Sequence, residues 1–188
     1  MAYPESGKGR VVLTLESEMT VDGLTGREIT DFLLDCGDDT YQAWWPGTHL
    51  ELHVLEHGPG GSHVGDVVLM DEYVGSRHVR MVGEVIKAVP GEQVVWQLRQ
   101  GRLRLPVRLT LVLRTGEHAV ALRHTITAGW SGRGRVFDRL WRLYFSGSFA
   151  GAMDRHVHTE FPLMRDLLHR APADSAGGPA AVGSSSTV

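Results

Sequence analysis

The chain has 188 residues, about the size of one ordinary domain, with 42% hydrophobic residues and a formal charge of −3. That charge suggests neither a nucleic-acid footprint nor a polybasic membrane patch. No apolar run approaches the ~20 residues of a membrane span, and the single cysteine, Cys36, excludes an internal disulfide and a CxxC metal knuckle.

The first residues, MAYPESGKGR, lack the apolar stretch of a signal peptide, so a soluble cytoplasmic protein is the expectation. RVVLTLESEM reads as a first strand. In LTGREITDFLLDC, Thr25 and Glu28 have the spacing of a capping box, and Ile29, Phe32, Leu33 and Cys36 form one apolar helical stripe. GDDTYQAWWPGTH reads as a short irregular segment broken by Pro46 and Gly47.

A long β run follows: HLELHVLE, VGDVVLMDEYVG, HVRMVGEVIKAV, QVVWQLRQ, LPVRLTLVLRT and HAVALRHTITAGW. The turn signals HGPGG, GSR, PGE and TGE separate these strands, and antiparallel neighbours are the natural arrangement. SGRGR holds two arginines expected to be solvated. RVFDRLWRLYF carries Val136, Phe137, Leu140, Trp141, Tyr144 and Phe145 at helical spacing, and the aromatic stripe over 137–149 is expected to be core, which in a cavity fold can also line a substrate site. Ser146–Gly147–Ser148 breaks the helix before a second helical piece starting near Phe149. Residues 171–188 are small, polar or helix-breaking, so the expected organisation is one domain over 1–170 and a disordered tail.

The stretch MDRHVHTEFPLM carries the most chemistry. At 100° per residue, Met153, His156, Glu160, Met164 and Leu167 fall within about 60° of Phe149, whereas His158 points to the opposite, polar side. An ionised carboxylate on an apolar face is costly unless it is paired, hydrogen-bonded or bound to a metal. His156 and Glu160 are therefore a metal-ligand pair, an acid–base dyad or a structural His–Glu hydrogen bond, and the helix alone leaves all three open.

Elsewhere, Val68, Met70, Glu72 and Val74 share one face of their strand, and Asp71 lies on the other; a swap between Asp71 and Glu72 stays open. His49 shares its alternation face with Glu51 and His53, a conflict that disappears if His49 belongs to the preceding loop. His124 lies with Val120, Leu122 and Ile126 on an apolar strand face. Glu84 is expected to pair with a nearby arginine, and Cys36 to be buried.

A strand, short helices, six strands and a long helix predict an α+β fold in which a curved antiparallel sheet wraps a C-terminal helix around an internal cavity. This order, over roughly residues 10–169, resembles the START-like (SRPBCC, Bet v 1-like) helix-grip superfamily. Tyr41, His49 eight positions on, a strand glutamate and HxxxE on the last helix are similar to the 2,4-diacetylphloroglucinol hydrolase family. The resemblance implies a zinc-dependent hydrolase of carbon–carbon bonds in acylated aromatic or polyketide-type substrates. Its ligands would be His49, Glu72, His156 and Glu160, with Tyr41, His124 and Tyr144 as pocket residues that move protons or hold hydroxyls.

Another divalent metal stays open. The expected partner is a small hydrophobic or aromatic substrate, with neither nucleic acid nor membrane, and a homodimer is within range. The competing expectations are a metal-free polyketide cyclase or aromatase, a hydrophobic-ligand carrier and, last, an interaction module without a ligand.

Overall fold

The computed structural model describes residues 13–130, 132–145 and 147–170. The start of the first strand predicted from residue 10 and the tail predicted for 171–188 lie outside these residues.

Seven strands form one sheet: β1 (Leu13–Asp22), β2 (His49–Glu56), β3 (Val67–Val74), β4 (Arg77–Val89), β5 (Gln93–Gln100), β6 (Leu103–Thr115) and β7 (Ala119–Ala128). Their order is β1-β7-β6-β5-β4-β3-β2, antiparallel throughout. Residues 57–66 form a longer loop from β2 to β3, short turns join the neighbours from β3 to β7, and β1 closes back onto β7. Register shifts in the β2–β3, β4–β5 and β5–β6 pairs bend the sheet. One of them accommodates Pro106, which has no N–H to give the ladder. There the Gln97 side-chain amide donates to the Leu105 and Val107 carbonyls instead.

Helix α1 (Gly26–Asp35) begins at the capping box: Thr25 Oγ1 accepts the Glu28 N–H, and Glu28 Oε2 accepts the Thr25 N–H at 2.8 Å. Ile29 is fully buried and Cys36 is buried behind it. The segment predicted to be irregular contains a helix, α2 (Asp38–Trp44). Gly37 provides its extended N-cap, and Asp38 and Asp39 sit in the first turn, where the helix dipole favours negative charge. These local signals outweigh the breaking effect of Pro46–Gly47, which only ends the helix.

The predicted helix over 135–145 is instead a 3₁₀ segment, Gly132–Phe137, followed by α3 (Asp138–Tyr144). No residue of α3 is fully buried. Val136, Phe137, Leu140 and Leu143 are exposed, whereas Trp141 packs against the core and Phe145 is buried, so only part of the stripe is core. The long helix α4 (Gly147–Leu168) lies against the concave sheet. Phe149, Met153, His156, Val157, Glu160, Phe161 and Met164 form its inner face, and His158 faces outward. Burial of each apolar side chain of this kind stabilises the fold by about 1.5–3 kcal/mol. Between α4 and the sheet lies a cavity of about 130 Å³, lined by Met70, Met81 and Trp96 from the sheet and Phe149 and Met153 from the helix.

Candidate metal centre

Four ionisable side chains from three elements meet at one end of this cavity. A bulge in β2 turns the first of them inward. His49 stands directly opposite Glu72 in the β2–β3 ladder, but Glu51 stands opposite Asp71, so one residue of β2 is extra. Directly opposed residues project to the same side of a sheet. His49 and Glu72 therefore both face the cavity, while Glu51 and Asp71 share the outer face, where Arg80 pairs with both carboxylates and His78 reaches Asp71. The bulge removes the alternation conflict at His49, and of Asp71 and Glu72 it is Glu72 that faces the cavity. Helix α4 supplies His156 and Glu160, one turn apart.

His156 Nε2 lies 3.5 Å from Glu72 Oε2 and 3.4 Å from Glu160 Oε2, and His49 Nε2 lies 3.7 and 3.8 Å from the same two oxygens. All four donor atoms lie within 4.8 Å of one another. These separations are long for hydrogen bonds. Both His49 nitrogens and His156 Nε2 are buried without a hydrogen-bond partner among the described residues. Buried polar atoms are rarely orphaned. Four nitrogen and oxygen donors around one tetrahedral zinc, each about 2.0–2.2 Å from it, stand about 3.3–3.5 Å apart. The orphaned imidazole nitrogens and the donor set thus fit a divalent ion with small side-chain adjustments.

The surrounding residues hold the donors in place. Tyr41 stacks on the His49 ring at 4.0 Å and donates its hydroxyl to Glu72 Oε2 at 2.6 Å. Trp44 donates its indole N–H to the Glu160 backbone carbonyl at 2.6 Å, and its ring meets His49 edge-on. Trp45 lies 4.8 Å from the His156 ring. The tryptophans were not singled out in the sequence because their segment read as irregular. The i, i+3 spacing of Tyr41 and Trp44 after two acidic first-turn residues is the signal that reveals their helix.

Without an ion the cluster is electrostatically uneven. Burial opposes protonation of His156, but Glu160 and Glu72 outweigh it and hold its pKa up at about 10. Burial pushes His49 down to about 4 against the pull of Glu72. Burial also raises Glu160, whereas at Glu72 it is outweighed by His156 and the Tyr41 hydroxyl, which lower the carboxyl below its ordinary range. Tyr41 is driven well above its ordinary value by burial and by Glu72, so it stays a proton donor to that carboxylate.

Of the remaining sequence candidates, His124 lines the cavity, where burial lowers it to about 4 and keeps the ring neutral. Tyr144 also lines the cavity but is half exposed at its rim, beside Arg77, which donates to the Tyr144 carbonyl. Glu84 pairs with Arg104 and Arg99, as expected of a structural carboxylate.

Tyr41→Phe removes a hydroxyl that holds one carboxylate of the cluster. It is expected to weaken zinc binding about 10–100-fold with little change in fold. Calorimetric titration of the metal-free protein checks this, and an unchanged affinity would mean that Glu72 needs no such support.

Fold and cluster together define a helix-grip protein with a buried two-histidine, two-carboxylate centre at the end of an apolar cavity. No protein family matches the chain, and no curated protein does. Among solved structures, the protein MLL2253 from Mesorhizobium loti is similar with a TM-score of 0.51 and 13% identity, over 86% of this chain and 100% of that one. ChR145 from Cytophaga hutchinsonii is similar with a TM-score of 0.51 and 9% identity, over 85% and 95%. SA2116, a protein of unknown function from Staphylococcus aureus, has a TM-score of 0.50 and 11% identity, over 83% and 94%. At such identities the likeness is one of fold alone. Among the described residues, no helix is long and apolar enough to cross a membrane.

Proposed function

We propose that the protein is a metal-dependent hydrolase in which His49, Glu72, His156 and Glu160 hold a divalent ion, zinc first, beside a cavity for a small hydrophobic or aromatic carbonyl compound. The observation that carries this reading is the convergence of two orphaned imidazole nitrogens on two buried carboxylates. Bound by these four side chains and taking one further ligand, the ion would supply Lewis acidity toward a carbonyl or a water molecule at near-neutral pH.

The chain's own residues supply the rest. Met70, Met81, Trp96 and Phe149 exclude bulk water and suit a flat apolar substrate. In hydrolysis of an acylated phenol or β-diketone, the water oxygen bonds the acyl carbon. The carbon–carbon bond breaks with its electron pair left on the ring or enolate carbon, and that carbon takes up a proton. His124, held neutral by burial and facing the cavity, is suited to hydrogen-bonding a substrate hydroxyl or carbonyl. Tyr41, bonded to Glu72, orients that carboxylate.

The second reading, a metal-free cyclase or a carrier of a hydrophobic ligand, draws support from the fold and from the apolar cavity, neither of which requires an ion. The two separate in one assay. Zinc-loaded protein is incubated with acylated polyhydroxybenzenes and β-diketones, and carboxylic acid release is followed. A hydrolase loses turnover on chelation and in His156→Ala. Retention of ligand affinity in His156→Ala, with no acid released by the wild type, would establish the carrier instead.

A further inference from the structure

The 3₁₀ segment and α3 form an exposed apolar surface that the proposed chemistry does not use. Five of the ten large hydrophobic side chains exposed among the described residues fall in nine positions: Val136, Phe137, Leu140, Leu143 and Tyr144. Val136 and Leu143 are 77% and 69% exposed. An apolar stretch this concentrated marks an interaction site.

Its charge narrows the partner. Residues 132–144 hold Arg133, Arg135, Arg139 and Arg142 against Asp138 alone, in a chain whose net charge is −3. Arg139 and Arg142 are exposed and make no ion pair among the described residues. The one acid is turned back to the fold, where Asp138 Oδ1 accepts the Trp130 N–H at 2.8 Å. A short helix with exposed aliphatic and aromatic side chains and surplus arginines is the pattern of a segment that lies in a lipid interface. A symmetric contact with a second copy would set the two basic helices against each other.

The position of this surface is also informative. Tyr144 and Phe145, at the end of α3, line the cavity. The cavity, about 130 Å³, is smaller than the ~300–1,000 Å³ usual for ligand sites, so a ligand enters only if the wall yields. No residue of α3 is fully buried, although Trp141 packs against the core, so this part of the wall is lightly held.

We infer that residues 132–144 dock the protein peripherally on an anionic lipid surface, presenting the cavity rim to the bilayer so that hydrophobic ligands pass from lipid into the protein. The helix lies on the membrane and does not span it. The total charge of −3 conceals this because four arginines against one aspartate leave the segment locally basic.

The test is co-sedimentation of the full chain with vesicles of phosphatidylcholine containing ~30% phosphatidylglycerol, compared with phosphatidylcholine alone, at ~0.1 M and ~0.5 M salt. Binding is expected to the anionic vesicles at low salt and to fall at high salt. Each arginine near the surface is worth about fivefold in affinity, so Arg139→Gln with Arg142→Gln is expected to weaken binding about 25-fold. Both positions are exposed, so the variant keeps the wild-type melting curve and metal content, which separates this result from the fate of the metal centre. Leu140→Ser with Leu143→Ser is expected to lose binding as well. No binding by wild type to anionic vesicles, or equal binding to phosphatidylcholine alone, would overturn the inference. So would a dimer in light scattering that the leucine variant dissociates while wild type ignores vesicles, which would assign the surface to a second copy.

Discussion

Replacement of Glu160 by Gln is expected to remove the bound ion while leaving the helix in place. Glu160 is buried, its backbone carbonyl is fixed by Trp44, and one carboxylate oxygen lies between the two imidazoles. Gln has the same shape but brings an amide where a charged donor is needed. Loss of a residue that only supports a ligand weakens metal binding about 10–100-fold, so loss of the ligand itself is expected to exceed about 100-fold. In the metal-free state the same change takes from His156 one of the two carboxylates that hold its pKa at about 10, so its pKa is expected to fall. Zinc competition with a coloured chelator and NMR titration of the imidazole read the two effects. Unaltered zinc affinity would show that Glu160 is not a ligand.

Zinc is expected to stabilise the wild-type protein strongly, and more so at higher pH. At about 1,000 times its Kd, a ligand that binds only the folded state contributes about 4 kcal/mol. For a domain of this size that corresponds to about 8–16 °C in Tm. Protons compete with the ion because His156 must be neutral to donate, and in the metal-free cluster its pKa is about 10. The zinc-induced rise should therefore grow between pH 7 and pH 9. The metal-free protein should behave in the opposite sense. The raised pKa of His156 contributes stability that is fully present below its ordinary 6.5 and is lost as pH rises toward 10. His49, lowered to about 4, neither gains nor loses a proton in that window. Thermal melts with zinc and with chelator across these pH values check both slopes. A zinc effect independent of pH would show that binding displaces no proton.

Much of this arrangement was legible in the sequence because the relevant signals are periodic. The α4 face is set by 100° steps, and it puts His156 and Glu160 among Phe149, Met153 and Met164, where the structure has them buried. Alternation in β3 likewise aims Glu72 inward with Met70 and Val74. The signals failed where the period breaks. A bulge shifts the phase of β2 by one residue, so alternation counted through it aims His49 together with Glu51. Helix α2 is too short for periodicity to register, and only its Gly37 cap and the acidic pair Asp38–Asp39 announce it. Over 136–144 the apolar spacing brings Trp141 onto the core but leaves Val136, Phe137, Leu140 and Leu143 exposed, because periodicity identifies a face without saying what covers it.

The central claim is that His49, Glu72, His156 and Glu160 together hold a divalent ion. Elemental analysis of the protein, purified without a histidine tag and then equilibrated with zinc and desalted, tests it most directly. About one zinc per wild-type chain is expected, and essentially none in Glu160→Gln or His156→Ala. A wild-type protein that is folded and retains no zinc, or variants that retain as much as wild type, would contradict it.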